Sequence, residues 1–368
     1  MVKKSPHIAL FLSYLGGGGA ERVMLNLAEG IAKQGIQVDL VLGRAWGPHL
    51  GKIPSQVKLV DLGARGILGK LWSLSRYLKK KKPLVILSGM HYANEIAIGA
   101  KFLSGGSTKI VVSEHNTISR AIQQTSQTRK LLIPILVKYL YPLADSIVAV
   151  SQEAAKDLAQ FTGLPLEHIC SIYNPVISSE LQTKSQAAIE HPWFVADDCP
   201  IILGVGKLFP QKDFPTLIRA FDLVKKERSA RLVILGWGSL RSQLEALVEE
   251  LGLQEDVAFL GYVQNPYPYM ARAATFVLSS AWEGLPTVLI EAMALGTPVI
   301  STDCPSGPAE ILDSGKYGWL TPVGDSETLA KTILSVLDGQ TKKIDPVWLK
   351  QFEVETTTKQ YLQLFDVK

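Results

Sequence analysis

Two patterns of hydrophobic and polar positions alternate along the chain: short apolar runs, and stretches with the spacing of an amphipathic helix. The first apolar run, at residues 7–14, is followed by a helical pattern at residues 20–33 whose apolar positions fall on one face. In the same half, further strands are predicted at residues 37–43, 57–62, 84–88, 109–113 and 146–151, and a helix at 67–82. Short strands that are apolar throughout are typical of a parallel sheet covered by helices on both faces.

The pattern pauses and then restarts, which predicts two domains. Residues 173–176 are followed by a polar stretch at 178–191 that is typical of a linker. Strands are predicted again at residues 200–206, 230–235, 257–260, 275–279 and 298–301, with helices at 214–226, 240–251, 268–274 and up to Leu295. The sequence therefore predicts an α/β protein with two doubly wound halves, and 368 residues also exceed one ordinary hydrophobic core. Open parallel sheets bind ligands beyond the carboxyl ends of their strands, so candidate chemistry is expected there.

Two glutamates in the second half form the most informative candidate site. Glu283 lies in a loop that leaves a predicted strand, and Glu291 lies inside a helix that begins near Pro286 and Thr287. The N–H groups of a helix N-terminus attract phosphate, and carboxylates accept hydrogen bonds from sugar hydroxyls. The segment therefore predicts a site for an anionic ligand rich in hydroxyl groups. The alternative is one glutamate in a helical first turn and one solvated glutamate.

Three further segments follow predicted strands and carry groups suited to phosphate binding or proton transfer. The glycines at 16–19 precede a helix, but Glu21 occupies the third glycine position of a dinucleotide fingerprint, which weakens a dehydrogenase interpretation. Lys207 and Lys212 would clamp a diphosphate if both turn inward, and would otherwise be surface lysines. His115 ends a first-half strand and is either a ligand-binding or acid–base group, or a structural histidine.

Composition narrows the class of protein. Apolar residues make up 47% of the chain and charged residues 20%, which is typical of a soluble globular protein. No charged-then-apolar leader precedes the first strand, and the longest apolar stretch, residues 131–150, contains prolines and charges that do not suit a membrane span. Three widely spaced cysteines predict reduced thiols in a cytosolic protein. No His, Cys and carboxylate cluster has metal-ligand spacing, so we expect neither a catalytic metal nor a cofactor.

The net charge of +4 hides an asymmetry between the two halves. Residues 1–185 contain 22 Lys and Arg against 11 Asp and Glu, whereas residues 186–368 contain 16 against 23. A basic first half suggests an anionic partner such as a membrane surface, a phosphorylated lipid or nucleic acid. Ordinary drift in surface charge is the alternative.

Two basic segments bear on the membrane hypothesis. The lysines at 79–82 are most simply a solvated helix end that complements the helix dipole. A second segment mixes basic residues with apolar and aromatic ones, which suits a bilayer interface better. Its residues are Arg129, Lys130, Leu131, Leu132, Ile133, Lys138, Tyr139 and Tyr141.

Several short motifs run through the chain in order. They are glycines 16–19, Ser113-Glu114-His115-Asn116, Tyr173-Asn174-Pro175-Val176, Gly204-x-Gly206-Lys207-x4-Lys212, Gly236-x-Gly238, Gly261-Tyr262, Glu283-Gly284-Leu285-Pro286-x4-Glu291-Ala292-Met293, and Gly307-Pro308-x-Glu310-Ile311. Together they resemble the retaining glycosyltransferases of family 4, over nearly the whole chain. That family has the GT-B fold, so the resemblance implies two Rossmann-like domains with parallel sheets facing a central cleft.

The resemblance implies roles for individual residues. Glu291 would bind the ribose hydroxyls of a nucleotide-sugar donor, and Glu283 would hold the sugar hydroxyls. Lys207 and Lys212 would neutralise the diphosphate, and His115 would approach the donor sugar from the first domain. The implied catalytic residues are His115, Lys207, Lys212 and Glu283; the implied donor-binding residues are Gly17, Gly18, Gly206, Gly284, Leu285, Pro286, Thr287 and Glu291. The family more often has arginine where this chain has Lys207, and a lysine loses the bidentate fork.

The resemblance also implies a division of labour. Residues 1–176 would form an acceptor-binding domain, 177–199 a linker, 200–346 a nucleotide-sugar-binding domain, and 347–368 a helix that crosses back to the first domain. Acceptor specificity would lie in first-domain loops, where Tyr14, Trp46, His91, Asn94 and Arg120 are candidates.

The function implied is that of a metal-independent, hexosyltransferase-type enzyme that retains anomeric configuration. It would move a sugar from a nucleotide sugar, a UDP-sugar above all, to a lipid-linked or polysaccharide acceptor in cell-envelope, lipopolysaccharide, exopolysaccharide or glycolipid synthesis. We expect a cytoplasmic protein that contacts an anionic membrane surface peripherally and has no nucleic-acid partner. Two alternatives stay open: a nucleotide-sugar epimerase or oxidoreductase, and a sugar-nucleotide-binding protein without catalysis.

Overall fold

A computed structural model of the chain describes residues 6–123, 127–195 and 199–367; the side chains of 121, 123 and 127–131 lie outside this description. The chain divides into two compact units. The first unit comprises Met1–Val176 with Gln351–Lys368, and the second comprises Ile177–Lys350. Each unit has its own sheet and its own hydrophobic core.

The first unit is built on a seven-stranded parallel sheet of order β3-β2-β1-β4-β5-β6-β7. Its strands are β1 His7–Leu12, β2 Gln37–Leu42, β3 Lys58–Asp61, β4 Val85–Gly89, β5 Lys109–Glu114, β6 Ser146–Ala149 and β7 Ile169–Ser171. The helices between them are α1 Gly19–Lys33, α2 Gly66–Lys81, α3 His91–Ser104, α4 Ile118–Gln123, α5 Gln127–Leu140 and α6 Gln152–Thr162.

Apolar side chains cover both faces of this sheet. Ala9 and Phe11 of β1 pack with α2, α3, α5 and α6, whereas Ile8, Leu10 and Leu12 pack with α1. Successive side chains of a strand point to opposite faces, so these are two separate layers. Burial on both faces explains why β1, β4 and β5 are apolar runs without polar alternation.

The second unit has a six-stranded parallel sheet of order β10-β9-β8-β11-β12-β13. Its elements are α7 Leu181–Ser185, α8 Pro192–Val195, β8 Ile201–Val205, α9 Phe214–Glu227, β9 Arg231–Leu235, α10 Arg241–Glu250, β10 Val257–Gly261, α11 Tyr267–Arg272, β11 Thr275–Leu278, α12 Thr287–Ala294, β12 Val299–Thr302, α13 Pro308–Ile311, β13 Trp319–Thr321, α14 Ser326–Leu337 and α15 Pro346–Leu349. These two sheets confirm the predicted α/β architecture of two Rossmann-like units.

The chain ends in α16, Val354–Leu364, which belongs to the first unit. Tyr361 and Phe365 are fully buried with α1, in the same layer as Leu10 of β1. A Cβ added at Gly30 of α1 would lie 2.2 Å from Thr358 Oγ1, so the two helices approach as closely as a glycine allows. The predicted terminal helix at 347–365 is therefore divided, with α15 in the second unit and α16 in the first.

The stretch predicted as a linker carries secondary structure. α7 packs against α11, and Asn265 Nδ2 donates to the carbonyl of Lys184 at 2.8 Å. This stretch is assigned to the second unit, whose first residue is Ile177. Within the described ranges, no helix is long and apolar enough to cross a membrane.

Candidate functional site

The candidate residues of the second unit lie on loops at the carboxyl ends of neighbouring strands. The order β9-β8-β11-β12 brings together the loops that follow these four strands. Lys207 and Lys212 follow β8, Glu283 follows β11, and Gly307 follows β12. This is the edge at which open α/β sheets bind ligands.

Lys212 and Glu283 form an ion pair in this edge. The two side chains are only 16% and 8% exposed. Ser280 Oγ donates to Glu283 Oε1 at 2.7 Å, so the carboxylate has a hydroxyl donor as well as the ammonium. The site thus holds a cation that suits a phosphate beside an acceptor that suits a hydroxyl.

The backbone holds this pair in place. Lys212 ends a short 3-10 turn, Pro210–Lys212, and its carbonyl accepts from Ser279 Oγ at 2.8 Å. Gln211 links the same loops through its side chain, whose Nε2 donates to the Trp282 carbonyl at 3.0 Å. Two adjacent strands therefore fix both members of the pair, and the pair is preorganised.

Glycines let the β8 and β9 loops interlock. Gly236 has φ +151°, and a Cβ there would lie 1.8 Å from the carbonyl oxygen of Gly206. A Cβ on Gly206 would in turn lie 3.2 Å from three carbons of the Lys212 side chain. Lys207 Nζ lies 5.9 Å from the centre of the Trp237 ring, on the adjoining loop. Small residues are thus required where the lysine-bearing loop is packed most tightly.

The loop after β12 supports the start of α12. Ser306 Oγ donates to the Gly284 carbonyl at 2.8 Å. Gly307 has φ +94°, and a Cβ there would lie 2.6 Å from Pro286 Cδ. These contacts place the turn before Thr287, the first residue of α12, against the β12 loop. The backbone N–H groups at this helix end are a ready site for an anion.

Glu291 lies in the second turn of α12, and its side chain is fully buried. The neighbouring helical residues Ile290 and Ala292 are also buried, as is Leu285 before the helix. A carboxylate at a buried helical position is unusual because burial penalises its charge. Its position therefore favours a specific role over a solvated one.

Cys304 is a buried thiol close to the ion pair. Burial raises the pKa of Cys304, the negative charge of Glu283 raises it further, and Lys212 lowers it. The thiol is thus held protonated and unreactive at neutral pH. Sequence reasoning missed Cys304, and it also missed Ser280 and Gln211, the partners of Glu283. The signal for Ser280 is its place two residues after β11.

In the first unit, the glycine run lies between β1 and α1. Gly17 has φ +78°, and a Cβ there would lie 2.8 Å from Pro48 Cγ. Gly18 is the N-cap of α1, and its carbonyl accepts from the Arg22 N–H at 3.3 Å. The run therefore allows a close approach of the β2 loop and leaves the first N–H groups of α1 without a side-chain cap.

His115 follows β5 in the first unit. Its Nε2 lies 3.2 Å from Ser113 Oγ, which lies 3.5 Å from the Tyr361 hydroxyl of α16. Burial lowers the pKa of His115 to about 4, so the imidazole is neutral at neutral pH. Its Nδ1 is buried without a hydrogen-bond partner in the part of the chain that the structure describes. His115 is thus a neutral hydrogen-bonding group, not a cation.

Glu114, beside it, is a buried acid. Burial raises the pKa of Glu114 to about 8, although Tyr141 Oη donates to its Oε2 at 2.8 Å. Asn94 Nδ2 donates to the Tyr141 hydroxyl at 2.9 Å and to the Ser113 carbonyl at 3.0 Å. Asn94 and Tyr141 are therefore parts of a buried network beneath the strand end.

This network corrects two predictions. Tyr141 was expected at a membrane interface and Asn94 at an acceptor site, but both are fully buried because they satisfy Glu114 and the β5 backbone. Ile133 of the proposed membrane segment is also buried. The side chains of Arg129, Lys130 and Leu131 lie outside the described residues.

The predicted site residues are divided between the two units. Gly206, Lys207, Lys212, Glu283, the run from Gly284 to Thr287, and Glu291 belong to the second unit. Gly17, Gly18 and His115 belong to the first. In the described ranges, no group of three or more His, Cys, Asp and Glu is placed to hold a metal ion.

Comparisons with known proteins agree on one family. Residues 17–180 match the family described as Glycosyltransferase Family 4, and residues 186–346 match Glycosyl transferases group 1. These two matches leave little of the chain uncovered.

Curated relatives extend over nearly the whole length. The N-acetylgalactosamine-N,N'-diacetylbacillosaminyl-diphospho-undecaprenol 4-alpha-N-acetylgalactosaminyltransferase of Campylobacter jejuni is 31% identical over 341 residues, which cover 90% of this chain and 90% of the relative. The lipopolysaccharide core biosynthesis glycosyltransferase LpsE of Rhizobium meliloti is 27% identical over 368 residues, which cover 95% and 96%.

Solved structures show the same fold. The crystal structure of Anabaena HepE in complex with UDP-glucose matches with a TM-score of 0.79 at 21% identity, over 98% of this chain and 99% of that chain. The lipopolysaccharide outer core galactosyltransferase WaaB matches with a TM-score of 0.72 at 21% identity, over 98% and 99%. These findings confirm the family and fold implied by the sequence motifs and do not favour an epimerase, an oxidoreductase or a non-catalytic binding protein. The chain belongs to glycosyltransferase family 4 and is a transferase with the GT-B fold.

Proposed function

We propose that this enzyme transfers a sugar from a UDP-sugar to a lipid-linked or glycan acceptor, with retention of anomeric configuration. The observation that carries the proposal is the Lys212–Glu283 pair beside the N-terminus of α12. A phosphate requires a cationic hydrogen-bond donor, and a sugar hydroxyl is bound by a hydrogen-bond acceptor. The loops at this edge of the sheet supply both. Two similarities support the choice of substrates: the name of the C. jejuni relative specifies a diphospho-undecaprenol acceptor, and HepE was crystallised with UDP-glucose.

The second unit, over residues 200–346, is proposed to bind the donor. Lys207 and Lys212 neutralise the diphosphate, together with the N–H groups at the start of α12 near Thr287. Glu283 accepts hydrogen bonds from sugar hydroxyls, with the backbone of Gly284, Leu285 and Pro286 alongside. Glu291 holds the ribose, and Gly206 keeps Lys212 close to the strand.

The first unit is proposed to bind the acceptor, with residues 1–176 as its body and Gln351–Lys368 joining it. Gly17 and Gly18 allow a substrate to approach the backbone at the start of α1. His115 contributes a neutral imidazole, which can donate or accept one hydrogen bond without adding charge.

The chemistry follows from where negative charge develops. As the glycosidic bond to the diphosphate breaks, charge accumulates on the leaving oxygens, and Lys207, Lys212 and the helix N-terminus stabilise it. This arrangement is proposed to act without a metal ion. The acceptor hydroxyl attacks from the face that the phosphate leaves, and the departing phosphate accepts its proton, so configuration is retained.

Two variants test the donor site. Lys212→Ala removes the phosphate partner and Glu291→Gln removes a carboxylate acceptor, so both should weaken UDP binding and lower kcat/KM for transfer by about 100-fold or more. Lys331→Ala, an exposed lysine on α14, is the matched control and should leave both unchanged. UDP affinity by calorimetry and transfer of a radiolabelled sugar give the two readouts. Unchanged kinetics in both site variants would contradict the assignment of Lys212 and Glu291 to the donor site.

Peripheral contact with an anionic membrane on the inner face is also proposed. Leu132, Ile135, Leu136 and Tyr139 of α5 are exposed and recur at the spacing of one helical face, with Lys138 exposed beside them. The helix turns Ile133 and Val137 into the core instead. An exposed apolar stripe flanked by lysine suits the boundary between headgroups and acyl chains.

Liposome flotation tests this contact. The wild-type protein should bind vesicles that contain anionic lipid in a salt-sensitive way. A Leu132→Ser/Ile135→Ser variant should lose most of this binding, because its apolar area can no longer enter the interface. Equal binding of the variant, or equal binding of the wild type to neutral vesicles at high salt, would argue against the proposed surface.

A further inference from the structure

Two exposed aromatic rings lie at the carboxyl edge of the sheet in the first unit. Tyr14 follows β1 and Trp46 follows β2, and these two strands are neighbours in the sheet. The ring centres are 5.8 Å apart with an interplanar angle of 64°. Trp46 is 59% exposed and Tyr14 38%. Burial would stabilise such large apolar rings, so exposing two of them together at a ligand-binding edge points to binding.

The loop that carries Trp46 is tied to the glycine run. The Leu15 N–H donates to the Trp46 carbonyl at 2.9 Å. Gly47 has φ +122°, and a Cβ there would lie 1.9 Å from the Leu15 carbonyl oxygen. Pro48 packs on Gly17, as described above. The backbone at Trp46 and Gly47 is therefore held against Leu15, and the Trp46 ring is presented from a preorganised loop.

A carboxylate lies beside the rings. Glu21, in the first turn of α1, is 5% exposed. A Cβ at Gly16 would lie 2.6 Å from Tyr14 Cε2 and 3.1 Å from Glu21 Oε1, so Gly16 lies between ring and carboxylate. Tyr92 adjoins the same groups: burial raises its pKa, and Tyr14 and Glu21 raise it further. Hydroxyl-accepting groups thus adjoin the aromatic surface.

We propose that Tyr14 and Trp46 form a platform for a sugar ring of the acceptor, with Glu21 accepting a hydrogen bond from one of its hydroxyls. The C–H face of a sugar ring is weakly positive and stacks on the negative face of an aromatic ring. The Glu21 carboxylate accepts hydrogen bonds, so the group of the acceptor that lies against it is a hydroxyl. The enzyme therefore extends a glycan that already carries a sugar, in preference to adding the first sugar to a lipid phosphate. This inference rests on the proposed transferase function.

The experiment compares two classes of acceptor in one assay. A panel of short-chain alkyl glycosides of hexoses and N-acetylhexosamines is offered beside a short-chain isoprenyl phosphate, with a panel of labelled UDP-sugars. The wild type should transfer to glycosides and not to the isoprenyl phosphate. Trp46→Ala should raise the acceptor KM about tenfold, whereas Trp46→Phe should retain most of the affinity because it keeps an aromatic face.

Controls separate the platform from the donor site. Trp72→Ala removes a tryptophan of the same 59% exposure from α2 and should leave the acceptor KM unchanged. UDP affinity should match the wild type because the side chains proposed to bind the diphosphate and ribose, Lys207, Lys212 and Glu291, lie in the second unit. Thermal unfolding should also match because both tryptophans are exposed. An unchanged acceptor KM in Trp46→Ala, or transfer to isoprenyl phosphate over glycosides, overturns the platform and leaves the proposed function standing. A wild type that fails to bind UDP contradicts both.

Discussion

At the scale of single residues, the Lys212–Glu283 pair both stabilises the second unit and supplies the charged groups proposed to bind the donor. The two side chains are largely buried, and Glu283 also receives the hydroxyl of Ser280. Removing one partner of a buried pair leaves an uncompensated charge, whereas removing both charges together costs much less. The same residues that are proposed to bind the donor are therefore part of the packing of the second unit.

Lys212→Met should lower the free energy of unfolding by about 2–3 kcal/mol, because Glu283 then stays buried without its cation. Adding Glu283→Gln should restore part of that loss. Denaturant unfolding measures both effects, with Lys184→Met as the control for an exposed pair with Glu180. A double variant less stable than Lys212→Met would contradict the pair as a coupled unit.

His115 makes a prediction about pH. Its pKa is lowered to about 4 by burial, below the ordinary value of 6.5. The folded protein therefore keeps the ring neutral from pH 5 upward. The pH dependence of kcat/KM near pH 6.5 should accordingly be the same in the wild type and in His115→Gln. Between pH 4 and 6.5 the imidazole of His115 is protonated in the unfolded chain and neutral in the folded one. The free energy of unfolding therefore rises with pH across that window. A pH–rate profile that loses a step near 6.5 in the variant would contradict a neutral His115.

At the scale of elements, the contact between α1 and α16 depends on one glycine. Ala is normally the better helix former by about 1 kcal/mol. A Cβ at Gly30 would however lie 2.2 Å from Thr358 Oγ1 and 3.0 Å from Val354 Cγ1. Steric conflict should therefore outweigh helix propensity at this position.

Gly30→Ala should destabilise the protein by about 1–3 kcal/mol. Thr358→Ala in the same chain should recover part of this loss because it removes the nearest atom. Gly51→Ala serves as the control, since nothing lies within 4 Å of its added Cβ. Thermal unfolding compares the three variants, and a stabilised Gly30→Ala protein would show that α16 is not closely packed on α1.

The strand–loop–helix elements of the candidate site could be predicted from the sequence, but the side-chain contacts between their loops could not. Apolar runs and glycine turns place Glu283 after β11 and Lys212 after β8 from sequence alone. That Gln211 contacts Glu283 depends on β8 and β11 being neighbours in the sheet, which no local pattern encodes. Ser280 contacts Glu283 within the loop after β11, but a spacing of three residues in a loop does not by itself predict a hydrogen bond. Tyr141, directly after α5, is buried through its tertiary contacts with Glu114 and Asn94, so the prediction of a membrane interface at Tyr141 is wrong.

At the scale of the whole molecule, each unit has its own sheet and core. The last helix, α16, belongs to the first unit although it follows the second unit in the sequence. The motifs sufficed to identify the family because they lie at strand ends in both units. The sequence pattern predicts one terminal helix, whereas the structure has two, α15 and α16, separated by a short 3-10 turn. Residues that bind a ligand only in the folded state should couple that ligand to the stability of the chain.

UDP should raise the unfolding temperature of the wild type. A ligand at about 100 times its Kd adds about 2.7 kcal/mol of stability when it binds only the folded state. Lys212→Ala and Glu291→Gln should lose most of this shift, whereas Trp46→Ala should keep it. Differential scanning fluorimetry with UDP, and with an adenine nucleotide as the control ligand, measures the effect. Equal shifts in all variants would place the nucleotide elsewhere.

The most direct measurement follows the transfer reaction itself by proton NMR. The enzyme is incubated with an α-configured UDP-sugar and a glycoside acceptor, and the anomeric signals of donor and product are recorded over time. We predict one UDP released per glycoside formed and an α anomeric coupling in the product. A β-configured product would contradict retention, and UDP bound without release of any product would contradict the proposed transfer.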